Sequence, residues 1–387
     1  MQKLIYMDNA ATTRTDSRVR EKMMPYFTDR YSNPSGLYNF ARENKKEIDE
    51  SRKIIADIIN AQPEEIYFTS GGTESDNWVI KNALNNERKH IITSKIEHHA
   101  ILNSCEFVES KGGRVSYVGV DELGRVNPRD IEKLISKDTS LISVMTANNE
   151  VGTIQKIAEI GNLAKEYDIQ FHTDAVQAFG HIPIDVKKMN VSMLSASGHK
   201  FGGPKGIGFM YIRDKSDVNS FMHGGSQENS KRAGTYNVPG IVGIGEAAKI
   251  ANENMEYRIR YEIELRNYMI NKVLNRIPYS RVNGDMKNRL PNNINFSFKY
   301  VDGESLVFML DDMGICCSTG SACNSGSSKP SHVLMAMGLS EEVAYSSIRL
   351  TISHETSRED ADYTIEALAN AVEKLRQYSK EYIDMNS

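Results

Sequence analysis

Tyr67-Phe-Thr-Ser-Gly71-Gly72-Thr73-Glu-Ser-Asp-Asn77 is the stretch from which the fold is read. An aromatic and β-branched run meets two glycines, and Thr73 is a capping-type residue that opens a helical pattern. A strand turning sharply into a helix leaves backbone N–H groups unpaired at the positive end of the helix dipole, which suits an anion such as a phosphate. An ordinary capped turn uses the same residues. The stretch is not a Walker A loop, since no Lys-Ser/Thr follows, nor a Gly-x-Gly-x-x-Gly fingerprint.

Outward from this turn, from about residue 50 to 215, short β-rich runs alternate with helical patterns. Strands are expected at Ile66–Thr69, His90–Ser94, Arg114–Val118, Leu141–Thr146, Gln170–Thr173, Met193–Ser195 and Gly208–Ile212. Helices are expected at Ala41–Ile59, Thr73–Leu84, His99–Lys111 and Ile157–Tyr167. Alternation of this kind builds βαβ units and a largely parallel sheet, an α/β fold whose ligands bind at the carboxyl ends of the strands. Polar punctuation falls at those ends: Ser70-Gly71-Gly72-Thr73, Glu97-His98-His99, Asn148-Asn149-Glu150, Asp174-Ala-Val-Gln177 and Ser197-Gly198-His199-Lys200. From about 250 the rhythm changes to a long charged helix (Asn252–Arg276), strands at Asn293–Lys299 and Ser347–Ile352, and helices at Glu304–Asp312 and about Glu359 to Tyr382. A second, smaller α+β domain is expected there.

Composition narrows the class. With 387 residues the chain is long enough for two to three domains, or one large domain with a satellite, and needs no disulfide or metal staple. Its net charge of −4 and lack of a dense basic run argue against nucleic-acid binding through bulk charge. No stretch approaches the length of a membrane span, and the N-terminus has no apolar signal core, so a cytoplasmic protein is expected. Cys316, Cys317 and Cys323 crowd into eight positions, which fits no disulfide framework.

Several residues invite chemistry. Lys200 ends a strand and precedes a glycine- and proline-rich loop, where partial desolvation lets a lysine form a Schiff base with a carbonyl cofactor. A lysine alone reads as solvated surface, so its neighbours decide. Asp174 follows a strand on the same edge and suits a protonated pyridine nitrogen, or equally an ordinary cap or ion pair. His98 and His99 point to opposite sides in extended backbone, so one at most faces a site. Ser318 to Pro330 contains no large apolar side chain, so an exposed, mobile loop is expected, with Cys323 in its middle. A thiol there could swing between a pocket and an outside acceptor. Cys-Cys-x5-Cys lacks the paired spacing of a zinc site, so no metal is expected. Cys105 falls on an apolar helix face and reads as core.

Taken in order, these motifs resemble the pyridoxal-phosphate-dependent cysteine desulfurases of the NifS/IscS type, in the class V aminotransferase group. The resemblance covers nearly the whole chain: Ile5-Tyr-Met-Asp8-Asn-Ala-Ala-Thr12-Thr13, Asn33-Pro34-Ser35, Phe68 to Asn77, Ile96-Glu-His98, Asn148 to Gly152, His172-Thr-Asp174-Ala-Val-Gln177, Ser197-Gly-His199-Lys200, Arg232-Ala-Gly-Thr235 and Gly320-Ser-Ala-Cys323. It implies the type I pyridoxal-phosphate transferase fold, with a mostly parallel seven-stranded sheet in a large domain (15–250). A small domain (1–14 and 251–387) would carry the cysteine loop, about 318–330.

The resemblance also implies roles. Lys200 matches the Schiff-base lysine, Asp174 the pyridine-nitrogen partner, Gln177 the partner of the phenolic oxygen, and His98 the histidine stacked on the cofactor. Thr73, Ser197 and His199 match phosphate contacts, and Thr235 a contact offered across the interface of a homodimer. Asn149 and Arg349 match contacts to the substrate carboxylate, and Cys323 the nucleophile. The implied activity removes sulfur from L-cysteine, leaving L-alanine and a Cys323 persulfide. That sulfur would pass to an acceptor protein, an iron–sulfur scaffold or a tRNA-thiolation protein. Tyr38, Ser226 and Ala233 stand where the family commonly has histidine, glycine and serine, and Cys316-Cys317 where single apolar residues are common. None of these removes a catalytic group, though Cys317 could share the persulfide. The rivals are an aminotransferase or selenocysteine lyase on the same fold, and an inactive sulfur-trafficking scaffold.

Overall fold

The computed structural model describes residues 3–213, 216, 218–319 and 330–386, residues 385 and 386 by backbone alone. Its strands are β1 (Ile5–Tyr6), β2 (Ile66–Thr69), β3 (His90–Ser94), β4 (Arg114–Val118), β5 (Thr139–Ser143), β6 (Gln170–Asp174), β7 (Met193–Ser197), β8 (Gly208–Ile212), β9 (Ser280–Val282), β10 (Asn293–Phe298), β11 (Ile315–Cys316) and β12 (Ser347–Thr351). A seven-stranded sheet runs in the order β2-β8-β7-β6-β5-β3-β4. Within it β8 is antiparallel to both neighbours and every other pair is parallel.

Strands β2, β3, β5, β7 and β8 are buried along their whole length because both faces of the sheet are covered there. Phe68, Ile92, Ile142, Leu194 and Phe209 join one apolar cluster, together with Ile48, Ile55, Ile160 and Ile244 from helices Asn39–Ile59, Ile157–Glu166 and Val238–Glu253. Their immediate neighbours Tyr67, Ile91, Leu141, Met193 and Met210 join a second cluster, with Trp78, Ile101 and Cys105 from helices Gly72–Asn82 and His99–Ser110. Successive side chains point to opposite faces, so an unbroken apolar run is what a sheet between two helix layers requires. Helix Asn39–Ile59 buries Ala41, Asn44, Ile48, Ser51, Ile55 and Ile59, the three- and four-residue spacing of one helical face. Each such isoleucine contributes about 1.5–3 kcal/mol by leaving water.

The chain beyond 250 builds another core. Ile5 and Met7 pack with Met269, Phe296, Leu306, Ile348 and Leu368. Strand β1 pairs in parallel with β11, and β12-β10-β9 form an antiparallel sheet. The N-terminal strand is therefore held by residues more than 300 positions away, and it delivers the residues that follow it to the carboxyl edge of the large sheet.

Some expectations need correction. Strand β5 begins at Thr139 rather than Leu141 and ends at Ser143. Its two leading polar residues are buried because Thr139 Oγ1 bonds the His90 ring at 2.8 Å and Ser140 donates to the His90 carbonyl. The charged helix begins at Met255, after a break at Asn254, and a separate helix, Val238–Glu253, precedes it. That helix is apolar or glycine around most of its circumference, so no amphipathic period announces it. The final helix is likewise two, Arg358–Arg376 and Lys380–Asn386. Among the described residues, no helix is long and apolar enough to cross a membrane, and no cluster of His, Cys, Asp or Glu could hold a metal.

Candidate active site

Strand order sets the site. Along the carboxyl edge come the turn after β2 with Thr73, then Ser197 ending β7 with His199 and Lys200 just after it, Asp174 ending β6, Asn149 beyond β5, and His98 beyond β3. A cavity of about 310 Å³ lies against this edge. It is lined by all of these residues, by Gln177, and by Arg349 from β12. Nine of the eleven residues singled out from sequence thus meet in one place. Thr235 is exposed and does not line the cavity of its own chain. Cys323 lies outside the described residues.

The β2 turn differs in one detail from the expectation. The helix cap is Gly71, with φ +153° and ψ −177°, and Thr73 sits one residue inside helix Gly72–Asn82 with an exposed side chain. Only glycine adopts that backbone readily. Because capping falls to a residue with no side chain, the first N–H groups have no side-chain cap bond. A Cβ on Gly71 would lie 3.5 Å from Ser197 Oγ. Thr73, Ser197 and His199 are therefore grouped around a helix start, with burial and the nearby lysines holding His199 neutral at about 4.

Lys200 Nζ donates to the carbonyl oxygens of Ala10 at 2.6 Å and Ala11 at 2.9 Å, and Gln177 Nε2 donates to the same Ala10 carbonyl at 3.0 Å. Asp174 accepts from the Val176 N–H at 2.8 Å. Burial raises its proton affinity, while the nearby lysine opposes that rise. Close by is Asp76, from the middle of helix Gly72–Asn82, which is 1% exposed. Burial and the Asp174 charge push it well up. Among the described residues its Oδ1 has no hydrogen-bond partner, and its neighbour His172 is neutral, lowered to about 3 by burial.

His98 caps helix His99–Ser110 by accepting the Ala100 N–H on Nδ1 at 3.1 Å. In the neutral ring this places the proton on Nε2. Burial, then Lys200, lowers its pKa to about 4. His99 turns instead toward His332, with ring centroids 4.7 Å apart. Between β3 and His98, Glu97 is fully buried and pushed up to about 8 by that burial. It accepts from Ser94 Oγ at 2.5 Å and the Met145 N–H at 3.0 Å.

Arg349 is 3% exposed. Its Nη1 donates to the Asn149 carbonyl at 3.0 Å and its Nη2 to Asp8 at 2.8 Å. Its backbone exchanges hydrogen bonds with Ser318, the residue five positions before Cys323. Burial keeps the other thiols protonated. Cys105 lies in the core, and Cys317 is pushed up to about 12.

Sequence reasoning missed Asp8, Asp76, Glu97 and the two alanine carbonyls. Asp8, Asp76 and Glu97 do stand inside the quoted motifs, but Asp76 and Glu97 sit among other polar residues there, so nothing local singled them out. The carbonyl contacts left no signal either, since they are made by backbone.

A family model described as aminotransferase class V matches residues 5–364. The chain belongs to that family. Within the class V aminotransferases it is 51% identical over 382 residues to a Dictyoglomus turgidum protein named cysteine desulfurase IscS, covering 98% of this chain and 97% of that one. A solved NifS-like protein superposes with a TM-score of 0.91 at 36% identity, covering 96% of this chain and all of that one. A structure described as SspA in complex with cysteine gives 0.81 at 39% identity, over 90% and 98% of the two chains. The chain is thus of the NifS/IscS type, with the type I pyridoxal-phosphate fold, and is a pyridoxal-phosphate-dependent enzyme.

The cavity fits that cofactor. It offers a helix start with hydroxyl and imidazole groups for a phosphate, buried acids for a protonated ring nitrogen, and a lysine for a carbonyl carbon. The unpartnered Asp76 Oδ1 marks a wall whose polar groups are not satisfied within the protein alone.

Proposed function

We propose that this chain is a cysteine desulfurase that takes sulfur from L-cysteine onto Cys323, releases L-alanine, and hands the sulfur to an acceptor protein. The observation that carries the reading is the meeting of Lys200, Asp174, His98, Asn149 and Arg349 in one cavity, whose wall strand β12 pairs with Ser318, the residue leading into the Cys323 segment. A transaminase needs the cavity but not the thiol.

In this reading Thr73, Ser197 and His199 hold the phosphate, with Thr235 of a second copy completing that contact in a homodimer. Exposed Phe27, Tyr31, Leu37 and Tyr38 give an apolar surface suited to such an association. Gln177 would bond the phenolic oxygen, His98 would cover the ring, and Asp174 would keep the ring nitrogen protonated. When bound, pyridoxal phosphate supplies the electron sink for charge left at the substrate Cα. Arg349 and Asn149 bind the substrate carboxylate and so orient its Cα–H toward Lys200 Nζ, which accepts the proton. His98, neutral with its proton on Nε2, serves proton transfer at the substrate thiol.

The Cys323 thiolate then attacks the substrate sulfur. The new bond is S–S and the broken bond is the substrate Cβ–S, whose electron pair stays with carbon and takes up a proton, giving alanine. A thiolate is required for this, since the protonated thiol is a poor nucleophile. Residues 15–250 would form the cofactor-binding domain, and 1–14 with 251–387 the smaller one. The acceptor would be an iron–sulfur scaffold or a tRNA-thiolation protein, and the setting cytoplasmic.

The test gives purified protein pyridoxal phosphate, L-cysteine and a thiol reductant, and quantifies alanine and sulfide together. Equal yields, both abolished by Cys323→Ser, are expected. Full sulfide release by Cys323→Ser would overturn the role of Cys323.

A further inference from the structure

The guanidinium that faces the substrate in the reading above is already engaged by an anion of the same chain. Asp8 Oδ1 accepts from Arg349 Nη2 at 2.8 Å, with Arg349 97% buried and the Asp8 side chain 19% exposed. Of the three guanidinium nitrogens, Nη1 is taken by the Asn149 carbonyl at 3.0 Å, and Nε has no partner among the described residues. Asp8 is held rigidly where it stands. Met7 donates to the Cys316 carbonyl at 2.8 Å and its own carbonyl accepts from Thr351 at 2.7 Å, while the Asn9 side chain donates to Thr351 at 2.7 Å. Two residues further on, the same segment supplies the carbonyls that hold Lys200.

We propose that Asp8 is a positioning residue that fixes the Arg349 fork and tempers its affinity for an α-amino-acid carboxylate, so that substrate and product are bound loosely enough to exchange. A guanidinium has five N–H donors, and one carboxylate on Nη2 leaves room for a second. The two carboxylates then share one positive charge in a buried site and repel each other through it. The hydrogen bond that Arg349 donates to Asp8 orients the fork, and the charge on Asp8 lowers its pull on the ligand. An asparagine at position 8 retains the first effect and removes the second.

The inference rests on the proposed α-amino-acid substrate, so the wild type is the reference. Protein loaded with pyridoxal phosphate is titrated calorimetrically with L-alanine and with L-alaninamide. Asp8→Asn is expected to bind L-alanine tighter, on the order of tenfold, with L-alaninamide unchanged or weaker, and the KM for L-cysteine to fall in the same sense. Asp8→Ser, also uncharged and also an acceptor, gives the same sign should the asparagine variant fail to fold. Wild-type protein that takes up neither L-alanine nor L-cysteine overturns the substrate reading and this inference with it. Wild-type uptake of L-alanine that the Asp8 variants leave unchanged or weaken overturns the role of Asp8 alone.

Discussion

Glu97 offers a quantitative test of the electrostatics around the site. Its carboxyl is fully buried beside His98, with no cation against it among the described residues, and burial moves its pKa from 4.5 to about 8. The folded protein therefore favours the protonated acid. The stability carried by that neutral form is complete below the unfolded value near 4.5, shrinks as pH climbs, and is lost above about 8. A span of about three and a half pKa units, at about 1.36 kcal/mol each, corresponds to about 5 kcal/mol. Glu97→Gln keeps an uncharged group of the same shape that can still accept from the Met145 N–H. The variant should be close to the wild type in urea unfolding near pH 5, and more stable by several kcal/mol near pH 9, where the wild type must bury a carboxylate. Glu150 and Glu262 titrate alike in both proteins and cancel in the difference, whereas Asp76 and Asp174, which feel the Glu97 charge, add to the change in the same direction. A constant difference from pH 5 to 9 would refute the reasoning, because Glu97 would then be ionised or solvated throughout.

Other outcomes follow from the same structure. Gly72→Ala places a Cβ 2.6 Å from Val176 Cγ2, so overpacking of about 1–3 kcal/mol should loosen the turn and weaken cofactor binding, with partial rescue by Val176→Ala in a fluorescence titration. Arg52 holds the buried Glu228 carboxylate through two bonds of 2.8 and 2.7 Å. Arg52→Ala should therefore cost about 3–5 kcal/mol in urea unfolding, and a loss below 1 kcal/mol would show that Glu228 finds other partners. The Cys317 thiol, pushed up to about 12, should resist alkylation at pH 8 in the folded protein, and Cys317→Ser should release sulfide at the wild-type rate. Rapid labelling of Cys317 would contradict that burial.

Much of the fold was legible because local rules and tertiary needs agree in the large sheet. Strands β2, β3, β4 and β8 run between the same residues in sequence and structure, since each is rich in β-branched or aromatic residues and is followed at once by serine, glycine or charge. Helix Val238–Glu253 was not legible, because a helix buried on nearly every side has no polar stripe to set its period. The site was legible where function sits in side chains at strand ends, as with Asp174, Lys200 and His98. It was not legible where the contact is backbone, as at Ala10 and Ala11, or where partners are 341 residues apart, as with Asp8 and Arg349. The cap was misplaced by two residues, from Gly71 to Thr73, because it belongs to a glycine whose backbone geometry no propensity scale describes.

The central claim is that sulfur passes from L-cysteine to Cys323. It is tested most directly by mixing the cofactor-loaded protein with one equivalent of L-cysteine, without reductant, and mapping its peptides by mass spectrometry. The account predicts the mass of one added sulfur atom on the Cys323 peptide, removed by a thiol reductant, with one alanine released per sulfur bound. Alanine formed with no sulfur on Cys323, or sulfur found on Cys316 or Cys317 instead, would contradict it.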